Sequence, residues 1–248
     1  MLLKMDHIEK SFGTTQVLHD ISIHVEDGEF VALLGPSGSG KSTIFNLIGG
    51  MATPDEGTIS LNDKIIHGQK GLIGYMPQQP SLFPWRTVIE NVVLMQELSG
   101  KPNYDEASEW LEKVGLRDFK KSYPIELSGG MKQRVAFIRA LLSKQNLLCL
   151  DEPFSALDEF TRIEMQKWLL SVWEENRKSV LFVTHSIEEA IFLADRIYIL
   201  TKRPATIKEE IKVPFARPRE ESLLNTNEFF QLKQKLFNLL KNEIEVGE

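Results

Sequence analysis

Residues 30–48 read FVALLGPSGSGKSTIFNLI, and this stretch decides the fold class. The five apolar residues at its start predict a buried strand, and the residues from Thr43 onward predict a helix. Between strand and helix lies the pattern Gly-x4-Gly-Lys-Ser, with its fixed positions at Gly35, Gly40, Lys41 and Ser42. In this context the pattern predicts a phosphate-binding loop. The alternative, a glycine-rich turn that only joins the two elements, would have to match every fixed position by chance.

The residue types of the loop explain how it would hold phosphate. Glycines allow the backbone to wrap until its N–H groups point at phosphate oxygens, and the helix start adds a favourable partial charge. Lys41 supplies a full charge toward the β- and γ-phosphates, and the Ser42 hydroxyl can ligate Mg²⁺. The residues that we expect to bind nucleotide here are Gly35, Pro36, Ser37, Gly38, Ser39, Gly40, Lys41, Ser42 and Thr43.

A pair of acids follows a second apolar run. Residues 147–150 read LLCL, as expected of a strand buried on both faces, and Asp151 and Glu152 come directly after it. Asp151 can hold Mg²⁺ through water, and Glu152 can orient and deprotonate an attacking water. Solvated surface charge is the alternative, but the apolar residues immediately before the pair argue against it.

A histidine stands at a comparable place. His185 follows the apolar segment 180–183, and Ser186 with Glu189 has the pattern of a capping box that begins the next helix. His185 should therefore lie at the carboxyl end of a strand, where α/β sheets bind their ligands. A purely structural histidine is the alternative.

A second anion site is predicted at residues 127–130, which read LSGG. Ser128 is a residue of the N-cap type, and Gly129 and Gly130 would let a phosphate approach the backbone N–H groups of a helix start. An ordinary capped helix is the alternative reading of the same residues.

Composition limits the function classes. The chain has 248 residues and a formal net charge of −6, which argues against a general nucleic-acid binder. The single cysteine, Cys149, excludes a disulfide framework, and the run around it predicts a small buried side chain. Apolar runs of at most five residues and an N-terminus without the apolar core of a signal peptide predict a cytoplasmic protein.

Strands and helices alternate along most of the chain, which predicts an α/β fold with a mostly parallel sheet and helices on both faces. Short alternating strands before residue 35 predict an N-terminal antiparallel β-subdomain, and the helical pattern over about 88–143 predicts an inserted subdomain. We expect an ATP-binding domain over residues 1–201. Residues 202–248 would form a C-terminal extension with a strand near 207–213 and a helix over about 227–242.

Together, these motifs resemble the ATP-binding subunit of an ABC transporter over about residues 3–201. The resemblance implies that Phe12 stacks on adenine, although an aromatic residue in a strand is more often core. It implies that Gln78 opens the glutamine loop and contacts nucleotide and metal, and that His185 hydrogen-bonds the γ-phosphate. Residues 127–130 look like the family signature, and residues 155–158 resemble the D-loop that ends in Asp158. Two departures from the family pattern are Met131 and Pro77.

The family resemblance also implies cofactors and an assembly. The substrate would be ATP with Mg²⁺, and the reaction would be ATP hydrolysis, with Glu152 and His185 as catalytic residues. In such a family, the signature of one subunit meets the ATP held by the phosphate loop of another. Two copies of the chain would then sandwich two ATP molecules in a two-fold symmetric homodimer.

Residues 82–92, LFPWRTVIENV, look like a segment of the nitrate/sulfonate/taurine import class, and Arg203-Pro204 with ARPR at 216–219 is similar to the same class. This implies a bacterial importer with permease subunits and a periplasmic or lipid-anchored binding protein. Its ATPase would lie on the inner face of the cell membrane, and the solute would be a sulfonate, nitrate, bicarbonate or vitamin precursor. A soluble ABC ATPase acting in cytosolic assembly is the alternative. Residues 83–86 would form an exposed permease contact, unless Trp85 is core and Arg86 merely solvated.

Overall fold

Two β-sheets and eight α-helices make up the part of the chain that the computed structural model describes, residues 1–155 and 157–245, with side chains up to residue 241. Ala156 of the predicted D-loop and residues 246–248 lie outside it. The strands are β1 (Leu3–Phe12), β2 (Thr15–Val25), β3 (Phe30–Leu34), β4 (Glu56–Leu61), β5 (Lys64–Ile65), β6 (Gly74–Met76), β7 (Leu147–Asp151), β8 (Ser179–Thr184), β9 (Arg196–Leu200) and β10 (Ile207–Lys212). The helices are α1 (Lys41–Ile48), α2 (Val88–Val92), α3 (Leu94–Leu98), α4 (Tyr104–Lys113), α5 (Gly129–Leu141), α6 (Glu159–Asn176), α7 (Ile187–Leu193) and α8 (Asn227–Glu245).

The larger sheet has the strand order β10-β9-β3-β8-β7-β6, and only its edge strand β10 runs antiparallel to its neighbour. The smaller sheet is antiparallel and has the order β2-β1-β4-β5. The predicted α/β fold, with its mostly parallel sheet and N-terminal antiparallel sheet, is confirmed. The short strand β5 had no signal in the sequence.

The apolar run at 30–34 is buried on both faces, as its composition predicts. Phe30, Ala32 and Leu34 enter one core with α5, α6 and α7, whereas Val31 and Leu33 enter a second core with α1 and the small sheet. Each of these side chains is fully buried. Burial stabilises each large aliphatic or aromatic side chain by roughly 1.5–3 kcal/mol, so this strand anchors the domain.

The register of the parallel strands brings their carboxyl ends to one edge. Leu34 of β3 lies opposite Thr184 of β8 and Ile199 of β9, and Asp151 of β7 lies opposite Val183. The segments that leave these strands therefore emerge side by side. They include the glycine-rich loop, the acid pair and His185.

The predicted helical segment contains α2 to α5 and two 3₁₀ helices, Arg117–Phe119 and Pro124–Glu126. It has its own apolar core, which includes Val88, Leu111 and Ile138. Thr87 and Glu90 form a reciprocal capping box at the start of α2. None of the helices in the described part of the chain combines the length and apolarity needed to cross a bilayer.

Two arginines beyond β10 attach the C-terminal chain to the end of α7 and to Asp195. Arg219, with only 1% of its side chain exposed, donates from Nη1 to the carbonyls of Ile191, Phe192 and Ala194 at the end of α7, at 3.0, 3.1 and 2.7 Å. Burial lowers the pKa of its guanidinium to about 10. Arg217 donates from Nε to Asp195 at 2.7 Å. The sequence motif ARPR thus contains a C-terminal cap for the helix that follows His185.

Arg219→Met should lower the free energy of unfolding by about 2 kcal/mol or more, because buried carbonyls at the end of α7 lose their donor. Urea denaturation is the measurement, with the free energies compared at a shared m-value, the slope of the free energy of unfolding against urea concentration. Arg117→Ala is the control, since that side chain is 69% exposed and its ion pair with Glu112 lies at the surface. A loss from Arg219→Met as small as that of the control would contradict the capping role.

Candidate functional site

The glycine-rich loop between β3 and α1 is shaped by left-handed glycines. Gly38 has φ 78° and Gly40 has φ 97°, conformations that other residues rarely adopt. A Cβ on Gly40 would lie 2.8 Å from Leu18 Cδ2 of the small sheet, so the close approach of the two sheets also requires glycine there. The loop delivers its backbone directly to the N-terminus of α1, where Lys41 is the first helical residue.

Lys41 is buried within the loop that precedes it. Its Nζ donates to the carbonyls of Gly35 and Pro36, each at 2.8 Å. Burial lowers the pKa of the ammonium, while the nearby carboxylates of Glu152 and Asp151 act in the opposite direction. A buried ammonium needs compensation by acceptors, and the two carbonyls supply it.

Asp151 ends β7 as a buried carboxylate. Burial raises its pKa, and the hydrogen bond from the Tyr75 hydroxyl to Oδ2, at 3.3 Å, opposes that rise. Burial also raises the pKa of Tyr75, with the charge of Asp151 as a further cause. Tyr75 therefore remains a hydrogen-bond donor that orients the carboxylate.

Glu152, Gln78 and His185 meet at the strand ends. Glu152 has φ 43°, a left-handed conformation that costs a non-glycine residue roughly 1–3 kcal/mol and often marks functional sites. Its Oε2 accepts from Gln78 Nε2 at 2.9 Å and lies 3.6 Å from Nδ1 of His185. The sequence placed these residues 74 and 33 positions from Glu152, and the fold joins them.

The turn around His185 is held differently from the predicted capping box. Ser186 Oγ accepts from the Glu189 N–H at 3.3 Å, which is half of the box. The Glu189 carboxylate, however, accepts from the Thr184 hydroxyl, and that hydroxyl in turn accepts from the Ser186 N–H. The Glu189 half of the predicted capping box is wrong, because the Thr184 hydroxyl at the end of β8, and not the Ser186 N–H, bonds the carboxylate.

A cavity of about 250 Å³ lies along the loop. It is lined by Ser37, Gly38, Gly40, Lys41, Ser42, Thr43, Gln78, Glu152 and Arg203. The predicted metal ligands Ser42, Gln78 and Asp151 offer hydroxyl, amide and carboxylate oxygens, which are the donors that Mg²⁺ prefers. No cluster of three or more His, Cys, Asp or Glu side chains that could hold a metal occurs within the described residues. Mg²⁺ is usually held by one or two carboxylates together with substrate phosphates and waters, and Asp151 with Ser42 and Gln78 fits that set of donors.

The signature residues and Asp158 form a second group on another face. Ser128 accepts from the Met131 N–H at 3.3 Å and caps α5, and Asp158 accepts from the Thr161 N–H at 3.0 Å and caps α6. The two helix starts abut, since a Cβ on Gly130 would lie 2.8 Å from the Thr161 methyl. Ser128 and Gly129 are exposed, and a Cβ on Gly129 would meet nothing within 4 Å. None of these four residues, Ser128, Gly129, Gly130 and Asp158, is among the described residues that line the phosphate-loop cavity.

Phe12 lies at the end of β1, where the chain turns into β2. Its ring is 52% exposed, so the core alternative is wrong, and Lys10 Nζ lies 5.4 Å from the ring centroid. Phe12 is not among the described residues that line the cavity. Its role with adenine stays a prediction.

Near the glutamine loop, Trp85 is exposed as expected, whereas Arg86 differs from expectation. Trp85 is 71% exposed and stacks on Phe83, with ring centroids 5.1 Å apart. Arg86 is not a free surface cation, because its guanidinium donates to Glu97 at 2.6 Å and to the Glu90 carbonyl at 3.3 Å. The aromatic pair, and not the arginine, is therefore available to a partner.

Sequence reasoning missed three residues that shape the site. Tyr75 orients Asp151, Thr184 holds the turn of His185, and Arg203 lines the cavity. Tyr75 and Thr184 belong to strands, where no spacing pattern distinguishes a core residue from a site residue. Arg203 follows β9 closely, and the alignment of parallel strand ends was the signal that could have identified it.

Comparison with known proteins agrees with the geometry. The family model described as ABC transporter matches residues 18–155. An aliphatic sulfonates import ATP-binding protein, SsuB, of Bacillus cereus is 43% identical over 93% of this chain and 90% of its own length. A nitrate import ATP-binding protein, NrtD, of Synechocystis is 42% identical over 92% of this chain and 90% of its own length.

Among solved structures, the ATP-binding cassette MJ0796 superimposes well. Its dimeric post-hydrolysis state, bound to ADP and Pi, gives a TM-score of 0.73 at 31% identity and covers 87% of this chain and 100% of its own. The match extends beyond the sheet to most of the chain.

Proposed function

We propose that this chain, which belongs to the ABC transporter family and is an ATP-hydrolysing subunit of that family, powers the import of a small solute. The ATP that it hydrolyses would bind in the cavity described above. The single observation that carries the site assignment is that Glu152, which lines the cavity with Lys41, Ser42 and Gln78, bonds Gln78 and lies 3.6 Å from His185. A carboxylate held at the phosphate-loop mouth can activate water where a γ-phosphate would lie.

Nucleotide binding in this proposal uses groups that are already oriented. Backbone N–H groups of the glycine-rich loop and of the start of α1 donate to phosphate oxygens. The Lys41 ammonium exchanges its two carbonyl acceptors for phosphate oxygens. The exchange is favourable because hydrogen bonds to anionic acceptors are stronger than those to neutral carbonyls. Phe12 offers a half-exposed ring for adenine. Ser42, Gln78 and Asp151 would hold Mg²⁺, which when bound neutralises phosphate charge.

Hydrolysis in this proposal depends on the carboxylate of Glu152. Glu152 takes the proton of the attacking water, and His185 donates a hydrogen bond to the γ-phosphate. Gln78 bonds Glu152 directly at 2.9 Å, so movement of the glutamine loop changes the position of the base. The Tyr75 hydroxyl keeps Asp151 oriented behind them.

The second group of residues supports a dimer as the working unit. Ser128 and Gly129 present a capped, exposed helix start with open space before it. Together with Gly130 and Asp158, they would meet the nucleotide held by the partner copy, since no described signature residue lines the cavity of its own chain. The dimeric state of the MJ0796 cassette supports the same arrangement.

The permease contact is proposed at the surface beside the glutamine loop. Arg139 donates to the carbonyls of Ser81 and Pro80 at 2.9 and 2.8 Å, and its side chain also lines an apolar groove of about 390 Å³. Tyr75 and Pro77 belong to the same groove, whose other lining residues are Phe45, Gly49, Met51, Lys70, Gly71, Ile73, Leu94 and Met95. An amphipathic helix of a permease fits such a groove, and the exposed Phe83 and Trp85 follow the segment that Arg139 holds at Pro80 and Ser81.

This contact would couple transport to hydrolysis. Tyr75 lies in the groove and bonds Asp151, so an occupant of the groove touches a side chain that orients the metal site. The relatives named for the import of aliphatic sulfonates and of nitrate support an anionic or polar small solute. A periplasmic or lipid-anchored binding protein would deliver it. The subunit would then work at the inner face of the cell membrane.

Glu152→Gln should leave ATP affinity unchanged and reduce ATP hydrolysis by about 10²–10⁴-fold, because the amide cannot accept the proton of water. ATP should also trap a dimer that gel filtration detects. Glu164→Gln, on the exposed face of α6, is the matched control and should hydrolyse ATP as wild type does. Hydrolysis by Glu152→Gln within a few-fold of wild type would remove Glu152 from the role of base.

Trp85→Ala should weaken assembly with the permease by about 2 kcal/mol or more if the ring is an interface hot spot. The isolated subunit should keep its stability and basal ATPase activity, because the ring is mostly exposed. Co-purification of membrane subunits from co-expressing cells is the measurement, and Phe237→Ala, an exposed aromatic of α8, is the control. Undiminished co-purification would contradict docking at this surface, whereas a wild-type subunit that captures no membrane subunits would favour an ATPase that works without a permease.

A further inference from the structure

We propose that Arg203 is a second cationic ligand of the nucleotide phosphates, acting in the cavity that the phosphate loop lines. It lines this cavity together with Lys41, Gln78 and Glu152, although the family resemblance assigned it no contact with nucleotide. This inference rests on the proposed placement of ATP in that cavity, and adds a binding residue to it.

The fold places Arg203 there through the register of the main sheet. β9 pairs in parallel with β3, with Ile199 opposite Leu34, so both strands end at the same edge. The last residue of β9 packs against the first residue of the glycine-rich loop, since a Cβ on Gly35 would lie 3.0 Å from Leu200 Cβ. A side chain three residues beyond Leu200 is therefore within reach of the loop.

The turn that carries Arg203 is fixed at its base and on one side. Thr201 and Thr206 close it, with Thr201 N donating to the Thr206 carbonyl at 3.1 Å and Thr206 N donating to Thr201 Oγ1 at 2.9 Å. Ala205 is bonded to β2 in both directions, from its N–H to the Val17 carbonyl at 2.9 Å and from the His19 N–H to its carbonyl at 2.8 Å. The turn is thereby held against the strand whose Leu18 contacts Gly40.

The charge of the cavity gives Arg203 a ligand class. Among the described lining residues, Lys41 and Arg203 are cations and Glu152 is the one carboxylate. A triphosphate carries several negative charges, which one lysine cannot balance. A guanidinium matches phosphate oxygens with two parallel N–H donors, and an exposed arginine at a cavity mouth loses little hydration before the ligand arrives.

The test is equilibrium titration of the full chain with ATP and with ADP. Arg203→Ala should weaken the binding of ATP about tenfold or more, since a hydrogen bond to a charged group is lost, and Arg203→Lys should recover part of that loss. The dependence of affinity on NaCl concentration should also become shallower in Arg203→Ala. Because the side chain is exposed, thermal unfolding without nucleotide should match wild type. Arg203→Gln repeats the titration if the alanine variant does not fold.

Two further variants separate the possible failures. Lys202→Ala removes a neighbouring cation that is not among the described residues lining the cavity, and it should bind ATP as wild type does. Lys41→Ala tests the proposed nucleotide site itself and should abolish binding. Unchanged affinity of Arg203→Ala for both nucleotides, with binding lost in Lys41→Ala, would overturn the role of Arg203 alone. If Lys41→Ala binds ATP as wild type does, the proposed nucleotide site itself is wrong. If Arg203→Ala and Lys202→Ala lose equal affinity, any nearby positive charge has the same effect, and Arg203 is not a direct phosphate ligand.

Discussion

The shared register of β3, β7, β8 and β9 is the constraint on which the rest of this structure depends. These strands are buried on both faces, so their pairing leaves no freedom to slide without exposing apolar side chains. Their carboxyl ends therefore stay aligned. The glycine-rich loop, Glu152, His185 and Arg203 come from four different strand ends and share one edge for that reason. The chemistry of the site is in this sense a consequence of core packing.

The partners of the buried charged groups are a second constraint on the site. A buried lysine and a buried aspartate would each destabilise a protein without partners. Here Lys41 bonds the carbonyls of Gly35 and Pro36, and Tyr75 bonds Asp151. These bonds hold the groups in place before ligand binding, and phosphate can replace the carbonyls at low cost. The hydrogen bond between Gln78 and Glu152 links the proposed base to the loop that begins beside the apolar groove, which would give a physical route between the proposed permease contact and hydrolysis.

Much of this could be predicted from the sequence, because local pattern and local chemistry agreed. Two stretches were enough to predict the α/β fold and to name most of the candidate site residues: the run at 30–34 with the loop after it, and the acids after 147–150. Long-range side-chain bonds carried no such signal. Arg219 caps α7 from 25 positions away, and Arg86 bonds Glu97 across 11 positions, so both bonds depend on which segments the fold brings together. The bond between Thr184 and Glu189 is local, but the capping-box pattern of Ser186 and Glu189 gave no sign of it. Sequence alone could name Arg86 as a partner contact, but only the fold could show that it is already engaged.

The central claim is that each ATP site is divided between two copies of the chain, with the phosphate loop from one and the signature helix from the other. Mixing Lys41→Ala with Ser128→Arg tests it most directly. Each variant alone should be inactive, since Ser128→Arg fills the space before α5. In a mixed dimer one composite site carries both changes and the other carries neither, so partial recovery of ATP hydrolysis is the predicted result. No recovery, in a sample where mixed dimers are shown to form, would contradict the claim.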